Sequence, residues 1–223
     1  MHPKTHKRKN YPYETIMRYA RLLDFGEIHT KIDPETGMHA IIAIHDTACG
    51  PAIGGCRYLT YDAAGHAMID ALRLAYMMTL KSAISDLAHG GAKSVILAPK
   101  KLHNREKLFE TFGDFVHEIN GRYICACDVG TNTDDMDVIA TRTPYVIGAA
   151  RTHTLETNPA THTAYGVFLG MQAALNYKFN KTDFKGITVA IQGAGHVAYA
   201  LATLLLNASA TVIACDIDHN TIA

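Results

Sequence analysis

Two lysines stand in the most chemically suggestive surroundings of this chain. Lys81 closes Met77-Met78-Thr79-Leu80-Lys81, and Lys93 follows the glycine pair of His89-Gly90-Gly91-Ala92-Lys93. An ammonium directly behind bare backbone, with a second lysine upstream, suits a site that holds a small carboxylate, as an amino-acid or oxo-acid pocket must. A second cluster is Gln192-Gly193-Ala194-Gly195-His196-Val197-Ala198. It lies between the apolar run Ile187 to Ile191 and a helical stretch from Tyr199 to Leu206. Gly193 permits a tight turn, Gly195 lets a pyrophosphate approach the backbone, and the small Ala198 allows close helix–strand packing. The following strand ends on Asp216, about 20 residues on, placed to accept hydrogen bonds from a ribose and to repel a 2′-phosphate. NAD is therefore favoured over NADP, with Asp218 a second candidate acid.

These residues need elements to position them. His39-Ala40-Ile41-Ile42-Ala43-Ile44-His45 has the β-branched density of a strand, and Asp46 to Pro51 breaks it. Between Asp62 and Ala83, Ala67, Ala71, Leu74 and Met78, with Ile69, Leu72 and Tyr76, recur at the helical period. That helix delivers Lys81 near its C-terminal end, where a cation also suits the macrodipole. A strand over Ser94–Ala98, a helix over 102–119 and a strand over 122–126 follow, and the last leads into Asp128-Val129-Gly130. Thr131-Asn132-Thr133 reads as the capped start of another helix. After the loop Arg151 to Pro159 come a helix from about Thr163 to Asn176, the strand over 187–191, and the glycine turn. Strands alternating with helices indicate an α/β fold, divided into a first domain over 1–150 and a second over 151–223.

Composition narrows the function classes. Lys+Arg 21 against Asp+Glu 21 gives a formal net charge of +0, so nothing argues for nucleic acid or an anionic membrane surface; the expected partner is a small molecule. No stretch approaches the ~20 apolar residues that span a bilayer, and the basic start Met1 to Asn10 lacks an apolar continuation. The cytoplasm is the expected location. Five scattered cysteines, with neither a CxxC pair nor ligand-spaced histidines, read as buried small apolar residues under reducing conditions, and no metal is expected.

The ordered segments resemble the Glu/Leu/Phe/Val dehydrogenases, and among them the leucine-specific members most. The resemblance is carried by Ile44-His45-Asp46-Thr47, Gly50-Pro51-Ala52-Ile53-Gly54-Gly55-Cys56-Arg57, Asp70-Ala71-Leu72-Arg73-Leu74-Ala75 and Met78-Thr79-Leu80-Lys81. It continues through Gly90-Gly91-Ala92-Lys93, Asp128-Val129-Gly130-Thr131, Thr163-Ala164-Tyr165-Gly166 and the Gly193 turn. It implies an α/β substrate and oligomerisation domain, then a Rossmann dinucleotide domain, with oxidative deamination in the cleft between them and assembly as a homo-oligomer. By position, Lys93 matches the catalytic lysine, Lys81 the lysine that grips the α-carboxylate, Asp128 the acid that exchanges protons with the amino group, and Thr163 a threonine near the nicotinamide. A lysine working as a base needs dehydration and a cationic neighbour, which Lys81 would supply. Asn158 to Thr163 departs from the family's usual Ser-Pro pair after Asn-Pro.

Substrate class follows from Pro51-Ala52-Ile53-Gly54-Gly55, where glutamate-specific relatives place a lysine for the side-chain carboxylate. Ile53 leaves such a carboxylate unpartnered, so a branched-chain aliphatic amino acid is expected, with Met78 and Ala126 as further apolar wall positions. Core packing is the plain alternative for Met78. A surface lysine at position 93, a capping acid at 128 and an incidental glycine turn are the others, and their joint register argues against them. Only two strands of a dinucleotide domain are readable before Ala223, so that domain reads as truncated. Two functions are consequently open: the front part of an NAD-dependent amino-acid dehydrogenase, or a non-catalytic oligomerisation or amino-acid-binding module.

Overall fold

In a computed structural model that describes residues 12–99, 101–150 and 159–222, the chain separates into two units, Met1–Thr157 and Asn158–Ala223. The basic start and all but the last residue of the loop Arg151 to Pro159 lie outside the described residues.

The first unit runs α1 (Pro12–Leu22), β1 (Glu27–Asp33), β2 (Met38–Ile44), β3 (Ala52–Leu59), α2 (Ala64–Ile84), β4 (Gly90–Leu97), α3 (Arg105–Glu118), β5 (Tyr123–Cys127) and α4 (Thr133–Ala140). Its five strands form one sheet in the order β1-β2-β4-β3-β5. β1 and β2 are antiparallel, β2 runs antiparallel to β4, and β3 lies parallel to both β4 and β5. The parallel pairs require crossovers, and α2 and α3 supply them. Alternate residues of each strand face opposite ways. Ile41, Ala43 and Val95 pack with Ala67, Ala71, Leu72 and Ala75 of α2 on one side. Ile42, Cys56, Ala92 and Ile96 pack with Leu108, Phe109 and Phe112 of α3 and Met136 of α4 on the other. Two buried faces explain why β4 is closed to solvent at almost every position, as sheets covered by helices on both sides are.

The second unit comprises α5 (Pro159–Phe179), β6 (Thr188–Gln192), α6 (His196–Asn207), β7 (Thr211–Cys215) and a 3₁₀ turn at His219–Thr221. β6 and β7 are parallel, from Thr188 opposite Thr211 to Gln192 opposite Cys215, with α6 as their crossover. This is a partial Rossmann-like sheet. Its core is small: Ala164, Phe184, Leu201, Leu205 and Ala210.

No helix among the described residues is long and apolar enough to cross a membrane. The expectation that all cysteines are buried needs correction. Cys56 and Cys125 are buried and Cys127 is half-buried, but Cys49 and Cys215 are exposed. Cys49 lies in the turn after β2 and Cys215 at the end of a strand with little cover, places where no layer closes over the side chain.

Candidate active site

Lys93 and Asp128 come together. β4 carries Lys93 in its middle, paired with Ala43 of β2, and Asp128 follows directly on the last residue of β5. The two-residue period puts Lys93 and Gly91 on the α2 side of the sheet, together with Ile53, Gly55 and Arg57 of β3 and Ala126 and Asp128 at the end of β5. The Lys93 Nζ is 2.8 Å from Asp128 Oδ1, and Lys93 is only 5% exposed. Arg57 Nε donates to the other carboxylate oxygen, Oδ2, at 2.9 Å. The same guanidinium donates to Asp70 Oδ2 of α2 at 2.8 Å, and that oxygen accepts a further bond from the Tyr61 hydroxyl at 2.7 Å. An ammonium, a guanidinium and two carboxylates thus form one hydrogen-bonded chain with no formal net charge.

Local structure fixes the acid. Thr131 Oγ1 accepts from the Asp128 backbone N–H at 2.9 Å and donates to the Cys56 carbonyl at 2.9 Å. Gly130 adopts φ +82°, and a Cβ there would sit 1.9 Å from the Tyr58 carbonyl oxygen, so only glycine lets this loop lie against β3. Asn132 caps α4 by accepting from the Asp135 N–H, and the Asp135 carboxylate in turn accepts from the Asn132 N–H. Burial by itself raises the Asp128 carboxyl, but the charge and hydrogen bonds of Lys93 and then of Arg57 outweigh it. The net value lies below the ordinary carboxylate range.

Gly54 and Gly55 are buried within β3, and their bareness is demanded by packing. A Cβ on Gly54 would lie 1.7 Å from the Ala92 carbonyl oxygen, and one on Gly55 would lie 2.7 Å from Asp128 Cβ. Gly91 serves the approach of α2, since a Cβ there would meet the Thr79 nitrogen at 2.1 Å. The Gly54 carbonyl accepts from the buried Tyr123 hydroxyl at 2.8 Å, and that hydroxyl is 2.8 Å from Ser94 Oγ. Ile53, Met78 and Ala126 are half-buried, Ile53 lying between Gly91 and Ile124 and Ala126 beside Gly55.

Lys81 stands outside the charged chain. It lies in the last turn of α2 with its side chain exposed, and it makes no ion pair among the described residues. The turn bearing it is pinned at Thr79, whose hydroxyl is 2.8 Å from His45 Nδ1; His45 Nε2 is 2.8 Å from the Leu23 carbonyl oxygen.

In the second unit the glycine turn has the expected form. Gly193 adopts φ +92° and its N–H bonds to the Cys215 carbonyl at 2.8 Å. Gly195 is the N-cap of α6 with no side-chain cap, so His196, Val197 and Ala198 occupy a first turn whose N–H groups have no intrahelical acceptor. Such a terminus suits a phosphate. Asp216 Oδ2 accepts from the Ala194 N–H at 2.7 Å and Oδ1 from the Asp218 N–H at 2.9 Å; these backbone donors hold its carboxyl below the usual range. An open cavity of about 760 Å³ borders Ala194, Gly195, His196, Tyr165 and Tyr199, within the volume range of small-molecule sites. Thr163 is exposed and its hydroxyl donates to the Pro159 carbonyl of its own helix at 2.7 Å.

Arg57, Asp70 and Tyr61 carry roles that local pattern did not reveal. Arg57 and Asp70 stand in motif segments, but their contact joins a strand to a helix and is visible only in the fold.

The Lys93–Asp128 ion pair makes a pH prediction. A carboxyl whose folded value is depressed contributes stability that is fully present above its unfolded value of ~3.9 and is lost as pH falls through the folded value. Thermal unfolding followed between about pH 5 and pH 3 should show the wild type losing stability over that window and Asp128→Asn losing distinctly less. At neutral pH Asp128→Asn should itself be less stable, since it leaves Lys93 dehydrated without its counter-charge.

The chain matches known proteins over nearly its whole length. The profile described as Glu/Leu/Phe/Val dehydrogenase, dimerisation domain, matches residues 25–145, and that described as Glutamate/Leucine/Phenylalanine/Valine dehydrogenase matches residues 157–222. Leucine dehydrogenase of Bacillus subtilis (strain 168) is 42% identical over 207 residues, which is 93% of this chain and 57% of that protein. Phenylalanine dehydrogenase of Bacillus thermotolerans is 37% identical over 215 residues, 96% of this chain and 56% of the relative. Among solved structures, L-tryptophan dehydrogenase from Nostoc punctiforme aligns with a TM-score of 0.66 at 34% identity, covering 92% of this chain and 57% of its own. The chain spans little more than half the length of the curated relatives it matches.

Proposed function

The chain belongs to the Glu/Leu/Phe/Val dehydrogenase family, and on that premise we propose that it carries the substrate-handling and first dinucleotide-binding parts of an enzyme that oxidatively deaminates a branched-chain aliphatic L-amino acid with NAD. The observation that supports this most is the Lys93–Asp128 pair at 2.8 Å. A buried amine in contact with a half-buried carboxylate can move a proton to and from a substrate nitrogen or an attacking water. The exposed ammonium of Lys81 grips the α-carboxylate. Asp128 Oδ1 takes the substrate amine, and Lys93 removes the proton of the water that adds to the imine carbon. NAD would supply the acceptor for the hydride that leaves Cα. The first turn of α6 would hold its pyrophosphate, and Asp216, which keeps the Ala194 turn closed, would offer carboxylate oxygens to the ribose hydroxyls. Self-association through the first unit fits the dimerisation-domain profile over residues 25–145.

The direct test is NADH formation by the chain with leucine, valine, isoleucine, phenylalanine and glutamate. Leucine or its branched-chain analogues should be turned over best. Turnover of glutamate above all of them would overturn the substrate reading, and absence of turnover with every amino acid would overturn the enzymatic one.

Specificity rests on Ile53, half-buried on the Lys93 side of the sheet. Ile53→Lys should lower kcat/KM for leucine by about 10–200-fold, the range that one altered apolar contact sets. The ratio of glutamate to leucine turnover should rise by at least about tenfold, because a buried carboxylate gains a counter-charge. An unchanged ratio would remove Ile53 from the substrate wall.

A further inference from the structure

We propose that Arg57 is a positioning residue of this site: tethered by Asp70, it holds the Asp128 carboxylate by Oδ2 and keeps it ionised while Lys93 is without its proton. The inference deepens the function proposed above and rests on it for the step it serves.

The geometry gives Asp128 two cations of different kinds. Lys93 bonds Oδ1 at 2.8 Å and Arg57 bonds Oδ2 at 2.9 Å, so each oxygen has its own partner. An ammonium can give up its proton, whereas a guanidinium does not within the range of protein stability. If Lys93 alone neutralised Asp128, each loss of the lysine proton would leave a dehydrated carboxylate unpaired, and burial would drive it to take a proton itself. Arg57 prevents this because its charge is permanent. It also leaves Oδ1 as the oxygen able to exchange one amine for another.

Arg57 is held from a second side. Asp70 Oδ2 accepts from the guanidinium at 2.8 Å and from the Tyr61 hydroxyl at 2.7 Å, which binds the fork to α2 and to the segment after β3. With two cations and two anions the cluster is neutral; with Lys93 deprotonated it carries one negative charge. The ammonium of an incoming amino acid restores the balance, so the cluster favours a substrate that brings a positive nitrogen. The charged groups facing Asp128 are Lys93 from β4 and Arg57 from β3, with Asp70 and Tyr61 acting through Arg57; the Cys56 and Cys127 thiols lie toward the opposite, α3 side of the sheet and feel its charge only at a distance. Neither thiol competes for charge, since burial pushes Cys56 up and Cys127 up to about 11.

The test follows the Asp128 carboxyl by NMR in the full chain labelled with ¹³C-carboxyl aspartate, alongside kinetics with leucine. In Arg57→Gln the Asp128 titration should move upward by at least about one pH unit, and the acid limb of kcat/KM should move with it. kcat should fall about a hundredfold from the misplaced oxygen. An unmoved titration in folded Arg57→Gln would overturn the proposal. Arg57→Lys covers the case in which that variant does not fold. It keeps the charge but loses the fork, so the titration should stay near wild type while kcat still falls about tenfold or more. Wild-type kcat in Arg57→Lys would likewise overturn the positioning role. A wild-type chain that turns over no amino acid, with a titration that moves in Arg57→Gln, would defeat the dehydrogenase reading and leave the electrostatic role of Arg57 standing.

Discussion

Replacing Lys93 with alanine should slow NADH formation with leucine, lowering kcat/KM by about 10³-fold, within the 10²–10⁴ that a positioned acid–base group contributes. The effect should appear in kcat, because the lysine proposed to bind the carboxylate, Lys81, is a separate side chain on a separate element. The variant should remain folded. Lys93 lies among Ala43, Gly91 and Asp128, and its removal leaves Asp128 still paired with Arg57 rather than stranded. Lys93→Met, which keeps the length of the side chain without the amine, separates chemistry from packing. Activity within tenfold of wild type in the folded methionine variant would take Lys93 out of the reaction.

Gly54→Ala should have the largest effect on stability. The added Cβ would lie 1.7 Å from the carbonyl oxygen of Ala92, and that oxygen belongs to a neighbouring strand rather than to a side chain able to turn aside. β3 lies between β4 and β5, so it cannot yield on one side without losing register on the other. The cost should reach or exceed the ~3 kcal/mol at the upper end of ordinary overpacking, a large part of the ~5–15 kcal/mol that stabilises a domain. Urea unfolding measures it. Gly65→Ala, near the start of α2 with nothing within 4 Å of the new Cβ, is the matched control and should change stability by less than about 1 kcal/mol. Equal midpoints for the two variants would show that the strand is not confined as described.

What was legible in the sequence was whatever a local pattern can encode. The three- and four-residue spacing from Ala67 to Met78 gave α2 and placed Lys81 in its last turn. The strand, Gly193 turn, helix and Asp216 order gave the second unit, and the positive φ at Gly193 is the reason a glycine had to stand there. β3 was not legible. Its Ala52-Ile53-Gly54-Gly55-Cys56-Arg57 carries two glycines and a charge, which lower intrinsic strand preference, and the segment is extended because strands on both sides bond to it. Missing β3 hid Arg57 as well. Its bond to Asp128 depends on β3 and β5 being parallel neighbours, a long-range pairing that no period of two or 3.6 announces. α1 and β1 escaped for a related reason: β1 is a half-exposed edge strand whose seven residues include Glu27, Lys31 and Asp33.

The imidazole between α1 and α2 has one more implication. A carbonyl oxygen can only accept, so His45 must present N–H at Nε2 to Leu23, while its Nδ1 is bonded to the Thr79 hydroxyl. Both nitrogens are committed, and Thr79 sits tight against Gly91. The helical turn that ends in Lys81 is therefore set when the chain folds. What stays free at that turn is the Lys81 side chain itself, so the ordering cost of any carboxylate captured there would be confined to the lysine's rotamers, up to about 2 kcal/mol, with the backbone already in place.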